Sequence, residues 1–227
     1  MDLLAGIKSR RSIRAFKPEP ISEDILLKLL EIAVRAPSSV NSQPWEFFVV
    51  RGALLRDLKE ANVKEYRQGK NPAPELPVGE TKGGAPALEG VFKERSVKLA
   101  KQIFGILGIS KGDKKGLVKY MEGMMQFYDA PAVIIIVVDK KLVGSWPILD
   151  LGFVAENIAL AAQEYGLGTC IMRAIVDYPE TLRRVVKIPE SKRIIVGIAI
   201  GYPDWDHPIN HLNTDREKIQ DIVTFLE

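Results

Sequence analysis

Cysteine and histidine are scarce in this chain of 227 residues: Cys170 is its one cysteine, and His207 and His211 are its two histidines. One cysteine cannot form an intrachain disulfide, and without a Cys-x-x-Cys pair a cysteine zinc site is excluded. We interpret the histidines as part of a solvated loop rather than as a ligand pair, and we predict no metal site. Cys170 follows an apolar helical segment without an evident histidine partner, so it is interpreted as a small core residue, not a nucleophile.

Long apolar runs and a strong charge excess are also missing. The longest apolar run, residues 130–138, is far shorter than the ~20 residues that span a bilayer. The first eight residues are too few and too charged for a secretion signal. The 32 basic and 29 acidic residues leave a net charge of +3, spread along the chain. We therefore expect neither a membrane nor a nucleic-acid partner, and a cytoplasmic location by default.

Familiar catalytic and nucleotide signatures are absent as well. No Gly-x-Gly-x-x-Gly follows a predicted strand, no phosphate loop ends in Gly-Lys-Ser/Thr, and no Gly-x-Ser-x-Gly elbow occurs. The usual nucleophiles and metal ligands are therefore missing. If the chain is an enzyme, a bound cofactor is expected to carry the reaction.

Apolar periodicity predicts interleaved helices and strands in one domain, residues 1–227, of the α/β or α+β class, with a sheet between helices. Ser22 is a plausible helix N-cap because acidic residues follow it. The predicted helices cover residues 23–36, 54–66, 91–107, 117–128, 148–165, 179–186 and 218–225. The predicted strands cover residues 45–51, 132–139, 169–172 and 193–201.

Three segments have further consequences. The β-branched run at residues 132–139 predicts a strand buried on both faces. Residues 148–165 are apolar nearly all round, interrupted by Glu156 and Asn157, so we expect this helix to be buried on every side, with a second subunit as the simplest cover. Residues 69–90 contain four prolines and no period. They form either a floppy insertion or a lid over a site.

Two short polar motifs carry the functional signal. Residues 9–14, Ser-Arg-Arg-Ser-Ile-Arg, gather three guanidiniums and two hydroxyls, and the planar fork of arginine matches phosphate oxygens two at a time. Residues 37–45, Pro-Ser-Ser-Val-Asn-Ser-Gln-Pro-Trp, form a polar turn that opens onto an apolar strand. Together they suggest a phosphate-bearing cofactor.

These motifs, at this separation, resemble the nitroreductase family of FMN-dependent oxidoreductases. The likeness continues in the apolar helix, in Gly-Leu-Gly-Thr-Cys at residues 166–170 and in Gly-Ile-Ala-Ile-Gly-Tyr-Pro at residues 197–203. It covers the chain except for a variable insertion at about residues 69–128. The resemblance implies an α+β sandwich whose central sheet is mixed, mainly antiparallel and flanked by helices. It also implies a homodimer with the flavin at the subunit interface.

The resemblance implies a cofactor site but no catalytic side chain. The implied FMN-binding residues are Arg10, Arg11, Ser12, Arg14, Pro37, Ser38, Ser39, Asn41, Ile171, Met172, Arg173 and Arg216. The arginines and Ser12 would hold the phosphate and ribityl chain of FMN. The polar turn at residues 37–45 would approach the flavin from the second subunit. The segment that starts at Ile171 would run along the flavin ring. Arg173 stands where some relatives are acidic, so it could stabilise reduced flavin, bind a substrate carboxylate or point to solvent. Trp45 is interpreted as a core or interface anchor.

The implied reaction moves hydride from NADH or NADPH, through flavin N5, to an organic acceptor such as a nitroaromatic or a quinone, in a ping-pong scheme. Two alternatives stay open. One is a reductive dehalogenase or a flavin-consuming relative on the same fold, with the insertion as its lid. The other is a flavin-binding module without catalysis. The sequence contains no discriminator between the two nicotinamides.

Overall fold

The computed structural model describes residues 2–77, 81–82 and 85–227. Its helices are α1 (Leu3–Ser9), α2 (Glu23–Ala33), α3 (Gly52–Arg67), α4 (Gly90–Ile106), α5 (Lys114–Met125), α6 (Trp146–Glu164) and α7 (Pro179–Val186). Its strands are β1 (Trp45–Arg51), β2 (Thr81–Lys82), β3 (Ala85–Pro86), β4 (Ala132–Asp139), β5 (Gly168–Met172) and β6 (Lys192–Gly201). Among the described helices, none is both long and apolar enough to cross a membrane.

The central sheet has the strand order β1-β4-β6-β5, and each neighbouring pair is antiparallel. A parallel bridge between Ser12 and Thr169 places the N-terminal arginine motif beside β5. The predicted mainly antiparallel sheet is confirmed, since its four strands are all antiparallel and the parallel pairing described is this isolated bridge at the β5 edge. Strands β2 and β3 form a separate ribbon.

Strand β4 is the centre of the molecule, because residues 132–138 are at most 1% exposed. Successive side chains of a strand point to opposite faces. Val133, Ile135 and Val137 accordingly pack in the cluster that includes α3 and α7, whereas Ile134 and Ile136 pack in the cluster that includes α2 and α6. Helices thus cover both faces of the sheet, and the predicted α+β sandwich is confirmed.

Most predicted elements agree with the structure to within two or three residues. The Ser22 hydroxyl accepts the backbone N–H of Ile25 at 3.3 Å, which confirms the N-cap of α2. Helix α1 was not predicted. The helix predicted for residues 218–225 is wrong, since only a 3₁₀ turn forms there, at Ile219–Asp221. Ile219 and Ile222 are 60% and 64% exposed, and a short helix without tertiary packing is not stable in water.

Helix α6 is buried on one side in a single copy of the chain. Leu151, Val154 and Ile158 are buried against the sheet, but Trp146 and Phe153 on the outer side are 67% and 40% exposed. The outer face of α6 thus carries apolar side chains that the described residues of the same chain leave exposed. Its cover by a second subunit stays a prediction.

Residues 69–77, the first part of the proline-rich segment, are fixed to the body of the protein. The Glu75 carboxylate accepts hydrogen bonds from the Arg183 guanidinium and from the Ile194 backbone N–H, each at 2.5 Å. Ala73 donates its backbone N–H to the Asp177 carbonyl at 2.8 Å. This part is therefore hydrogen-bonded to the body of the protein, whereas residues 78–80 and 83–84 of the predicted insertion lie outside the described residues.

Candidate cofactor site

The arginine motif is held in register against β5. Ile13 donates its backbone N–H to the Thr169 carbonyl at 2.9 Å. Gly168 makes the close approach possible, because a Cβ there would lie 2.4 Å from Cγ1 of Ile13. Ile13 is 2% exposed, so the alternation of a strand directs the half-buried side chains of Ser12 and Arg14 away from this contact.

Asn210 fixes the other end of the motif. Its side-chain oxygen accepts the Arg14 backbone N–H at 2.8 Å, and its amide nitrogen donates to the carbonyls of Ala15 and Asp204 at 2.7 and 2.8 Å. The residue is fully buried, so these bonds satisfy a polar group that would otherwise be costly to bury. Asn210 was not predicted from the sequence, because two of its three partners, Arg14 and Ala15, lie almost two hundred residues away and no local pattern marks it.

The three guanidiniums have few partners among the described residues. Arg10 Nε lies 3.1 Å from a Glu156 carboxylate oxygen, which explains one polar interruption of α6. Arg11 and Arg14 donate only to nearby backbone carbonyls, those of Ser9 and Ser12, at 3.3 and 3.2 Å. A half-buried group of planar cationic donors beside a hydroxyl is chemically suited to a phosphate dianion. The residues present therefore fit the phosphate-bearing cofactor that the sequence suggested.

Cys170 lies beneath this group, as a core residue of β5. It is 5% exposed. Burial raises the pKa of its thiol, although the nearby Arg14, Ser12 and Arg10 act in the opposite direction. A neutral, buried thiol is a poor nucleophile. The interpretation of Cys170 as a core residue is confirmed.

A cleft of about 600 Å³ opens beside Arg14. Residues 127–129 all have left-handed backbones, with φ of 56°, 52° and 60°, a conformation that costs free energy in residues other than glycine. This turn places Tyr128 in the cleft. Burial raises the pKa of the Tyr128 hydroxyl far above its usual range, so the group stays neutral at physiological pH. The aromatic and basic lining includes Phe16, Lys119, Tyr120 and His207.

The polar turn at residues 37–45 lies elsewhere, against α6. It contains a 3₁₀ turn, Ser39–Asn41, and left-handed backbones at Val40, Asn41 and Gln43. Pro37 and residues 39–43 are exposed, and Ser38 is half-buried. No described hydrogen bond or ion pair joins this turn to the arginine motif of the same chain. Trp45, at 8% exposure, packs in the core as predicted.

The segment from Ile171 to Arg173 follows the bridge to the arginine motif. Ile171 is 42% exposed and Met172 is buried. Arg173 does not simply point to solvent, because its Nε lies 2.9 Å from Oδ1 of Asp177. The hydrogen bond of this pair runs from Nη2 of Arg173 to Oδ2 of Asp177, at 3.4 Å. Burial raises the pKa of Asp177 to about 6, against the opposing effect of Arg173.

Asn62 of α3 lies against this segment. It is fully buried, donates to the Ala174 carbonyl at 3.5 Å, and has a side-chain oxygen without a partner among the described residues. An uncompensated buried oxygen of this kind is uncommon in native proteins.

Arg216, the least local of the predicted phosphate residues, is not joined to the arginine motif by a described contact. Its guanidinium donates to the carbonyl and hydroxyl of Thr214, at 3.1 and 2.8 Å, and it lines a cavity beside α4. His207 and His211 bond within their own loop. In the part of the chain that the structure describes, no group of three His, Cys, Asp or Glu side chains could hold a metal ion.

The fold and the site together define a class. A model of the nitroreductase family matches residues 7–202, so this chain belongs to the nitroreductase family. A 4-nitrobenzoate reductase from a Nocardioides species is 30% identical over 223 residues, which cover 98% of this chain and 89% of that protein. The crystal structure of the FMN-dependent nitroreductase NfnB from Mycobacterium smegmatis, in complex with NADPH, superposes with a TM-score of 0.90 at 27% identity and full coverage of both chains. A more distant relative, iodotyrosine deiodinase from Nematostella vectensis, is 24% identical and covers 96% of this chain and 72% of that protein.

Proposed function

We propose that this protein is an FMN-dependent oxidoreductase that takes electrons from NAD(P)H and reduces an organic acceptor, such as a nitroaromatic or a quinone. The observation that carries the proposal is the fixed arginine motif, anchored by the approach of Ile13 to Gly168 and by Asn210. Its support from relatives is the similarity to a 4-nitrobenzoate reductase and to an FMN-dependent nitroreductase solved with NADPH.

The side chains of Arg10, Ser12 and Arg14, with Arg11 beside them, bind the FMN phosphate and the adjoining ribityl hydroxyls. Charge-assisted donors of this kind are needed when a dianion is partly desolvated. Arg216 reaches the same phosphate from the C-terminal tail. FMN held by these residues would supply the two-electron chemistry that links NADH or NADPH to the organic acceptor.

Residues 171–173 run along the flavin ring. The exposed Ile171 side chain offers an apolar contact that excludes water, and the backbone of the segment offers a hydrogen-bond donor. Arg173, held by Asp177, is oriented rather than free. The protein thus supplies binding, orientation and water exclusion, and no side chain acts as nucleophile.

The functional unit is a homodimer with the flavin at the subunit interface. The exposed apolar residues of α6, among them Trp146, Leu149 and Phe153, form a surface that a second copy covers. Pro37, Ser38, Ser39 and Asn41 stand on an exposed turn of the same side of the sheet and contact the flavin of the partner subunit. One domain spans residues 1–227, in the cytoplasm, and its insertion at 69–128 shapes the choice of acceptor.

The test is turnover by the purified protein. FMN-loaded enzyme should oxidise NADPH or NADH when 4-nitrobenzoate or a quinone is supplied, and Arg14→Ala should weaken FMN binding at least about tenfold, because a charged hydrogen bond contributes ~1.5–3 kcal/mol. Turnover with halogenated phenols alone would instead favour a dehalogenase, the chemistry that the name of the deiodinase relative describes. Bound flavin that neither nicotinamide reduces would favour a non-catalytic module.

A further inference from the structure

Helix α6 is apolar on its sheet-facing side except for Asp150, which the sequence analysis did not single out. Asp150 is 2% exposed, although it belongs to a residue type that is rarely buried without a partner. Its neighbours in the helix, such as Leu151 and Val154, are buried apolar residues. A carboxylate at this position needs compensating donors.

The donors come from the polar turn. The backbone N–H of Ser39 points between the two carboxylate oxygens of Asp150 and lies 3.2 Å from each. The Ser42 hydroxyl lies 3.5 Å from the second oxygen. In the described part of the chain, Asp150 is thus hydrogen-bonded to both ends of the segment 39–42 and to no strand of the sheet.

The segment that Asp150 holds is strained and exposed. Val40, Asn41 and Gln43 have φ of 48°, 56° and 45°, and Val40 is a β-branched residue that is 96% exposed. Left-handed backbones at such residues persist only where the surroundings impose them. The remaining restraints are local bonds within residues 38–43, such as that from the Gln43 N–H to the Ser38 hydroxyl at 3.0 Å.

We propose that Asp150 is a positioning residue, whose buried carboxylate holds the turn at residues 38–43 in the strained, outward-facing conformation that meets the cofactor of the partner subunit. The inference rests on the proposed function for the identity of that cofactor. The effect of Asp150 on the turn is independent of the proposed function. Asp150 contacts no substrate and acts only through Ser39 and Ser42.

Asn157 provides a matched control, because it lies seven residues further along α6 and makes a comparable contact. Its amide donates to the Ala33 carbonyl, at the end of α2, at 3.1 Å. Asn157→Ala therefore removes a hydrogen bond between α6 and the last residue of α2, which lies before the turn at residues 38–43. A general loosening of α6 would affect both variants alike.

The first experiment measures hydrogen exchange of the amides of residues 39–43 in flavin-free protein. Asp150→Ala should accelerate this exchange about tenfold, because the Ser39 N–H loses its acceptor, whereas Asn157→Ala should leave it at the wild-type rate. Asp150→Asn, which keeps one acceptor oxygen, should lie between wild type and Asp150→Ala. Wild-type exchange in Asp150→Ala, or equal acceleration in Asn157→Ala, would overturn the proposal. If Asp150→Ala does not fold, Asp150→Asn decides, with about threefold acceleration expected and the wild-type rate as the contrary result.

The second experiment titrates FMN into the same proteins and follows flavin fluorescence. Asp150→Ala should bind FMN about tenfold more weakly than Asn157→Ala at matched thermal stability. Equal affinities of the two variants would overturn the role of Asp150 at the cofactor. If the wild-type protein itself binds no FMN, the proposed function fails, whereas the exchange experiment still decides whether Asp150 orders the turn.

Discussion

The substitution Gly168→Ala tests directly how β5 positions the arginine motif. The added Cβ would lie 2.4 Å from Cγ1 of Ile13 and 2.8 Å from Cγ of Pro203. Carbon atoms in contact are ordinarily ~3.5–4.0 Å apart, so Ile13 and the added methyl group would have to move about 1 Å further apart. Ile13 cannot swing aside, because it is 2% exposed and its backbone N–H is bonded to Thr169.

The magnitude follows from these contacts. Overpacking a core site costs about 1–3 kcal/mol, and weakening the Ile13–Thr169 hydrogen bond adds about 1 kcal/mol. We therefore expect Gly168→Ala to lose about 2–4 kcal/mol of unfolding free energy. A displacement of about 1 Å also misplaces Ser12 and Arg14, so FMN affinity should fall at least tenfold, or about 1.4 kcal/mol.

The assay combines urea unfolding with FMN titration in a double-mutant cycle. Ile13→Ala alone leaves a cavity and should cost about 2–4 kcal/mol. In the double variant the new methyl occupies the vacated space, so the combined loss should be smaller than the sum by at least about 1 kcal/mol. Strictly additive losses, or wild-type FMN affinity in Gly168→Ala, would refute the idea that this glycine sets the position of the motif.

Three further predictions concern other parts of the molecule. The folded-state pKa of Asp177, about 6, lies above its ordinary value of 3.8, so the folded protein holds this proton more tightly and loses stability as pH rises from 4 to 6. Asp177→Asn should remove that loss, so the unfolding free energy of the variant minus that of the wild type should rise by about 1–3 kcal/mol between pH 4 and pH 6. Urea unfolding that gives the same pH dependence for both proteins would contradict this prediction. Glu75→Ala should cost about 1–3 kcal/mol in urea unfolding, since it removes the carboxylate acceptor from the Ile194 backbone N–H and from the half-buried Arg183, which keeps its backbone carbonyl acceptors, while Lys28→Ala, at an exposed ion pair, should leave the unfolding midpoint unchanged. Phe153→Glu should dissociate the proposed dimer in sedimentation velocity, because it buries a charge in an apolar interface, and an unchanged dimer would place the interface elsewhere.

The sequence was informative where a local pattern has one structural solution. The β-branched run of β4 required burial on both faces, and the structure has it. The hydroxyl of Ser22 before two acidic residues marked the start of α2 correctly. The arginine motif also predicts an anion site, because several guanidiniums in one short segment suit few other ligands, and this site stays a prediction.

The parts that could not be predicted depend on contacts distant in sequence or on imposed backbone strain. Asn210 is hydrogen-bonded to Arg14 and Ala15, which lie near the other end of the chain, and the residues around Asn210 form no pattern that predicts these bonds. Asp150 is a single polar residue on the buried, sheet-facing side of α6, and no motif around it marks its role. The left-handed turn at residues 127–129 contains no glycine, so local preference argues against it. The tail differs for another reason: its apolar residues suggest a helix, but Ile219, Phe225 and Leu226 are 60%, 89% and 91% exposed, so little packing with the described residues supports one.

The central claim is that this chain binds FMN through its arginine motif and that a nicotinamide reduces the bound flavin. The most direct measurement is an anaerobic titration of the FMN-loaded protein with NADPH and NADH, followed in the visible flavin absorbance, with Arg10→Ala in parallel. We expect bleaching by at least one nicotinamide, return of the absorbance on adding 4-nitrobenzoate, and weaker flavin retention in the variant. A protein that stays colourless in excess FMN, or whose bound flavin neither nicotinamide bleaches, would contradict it.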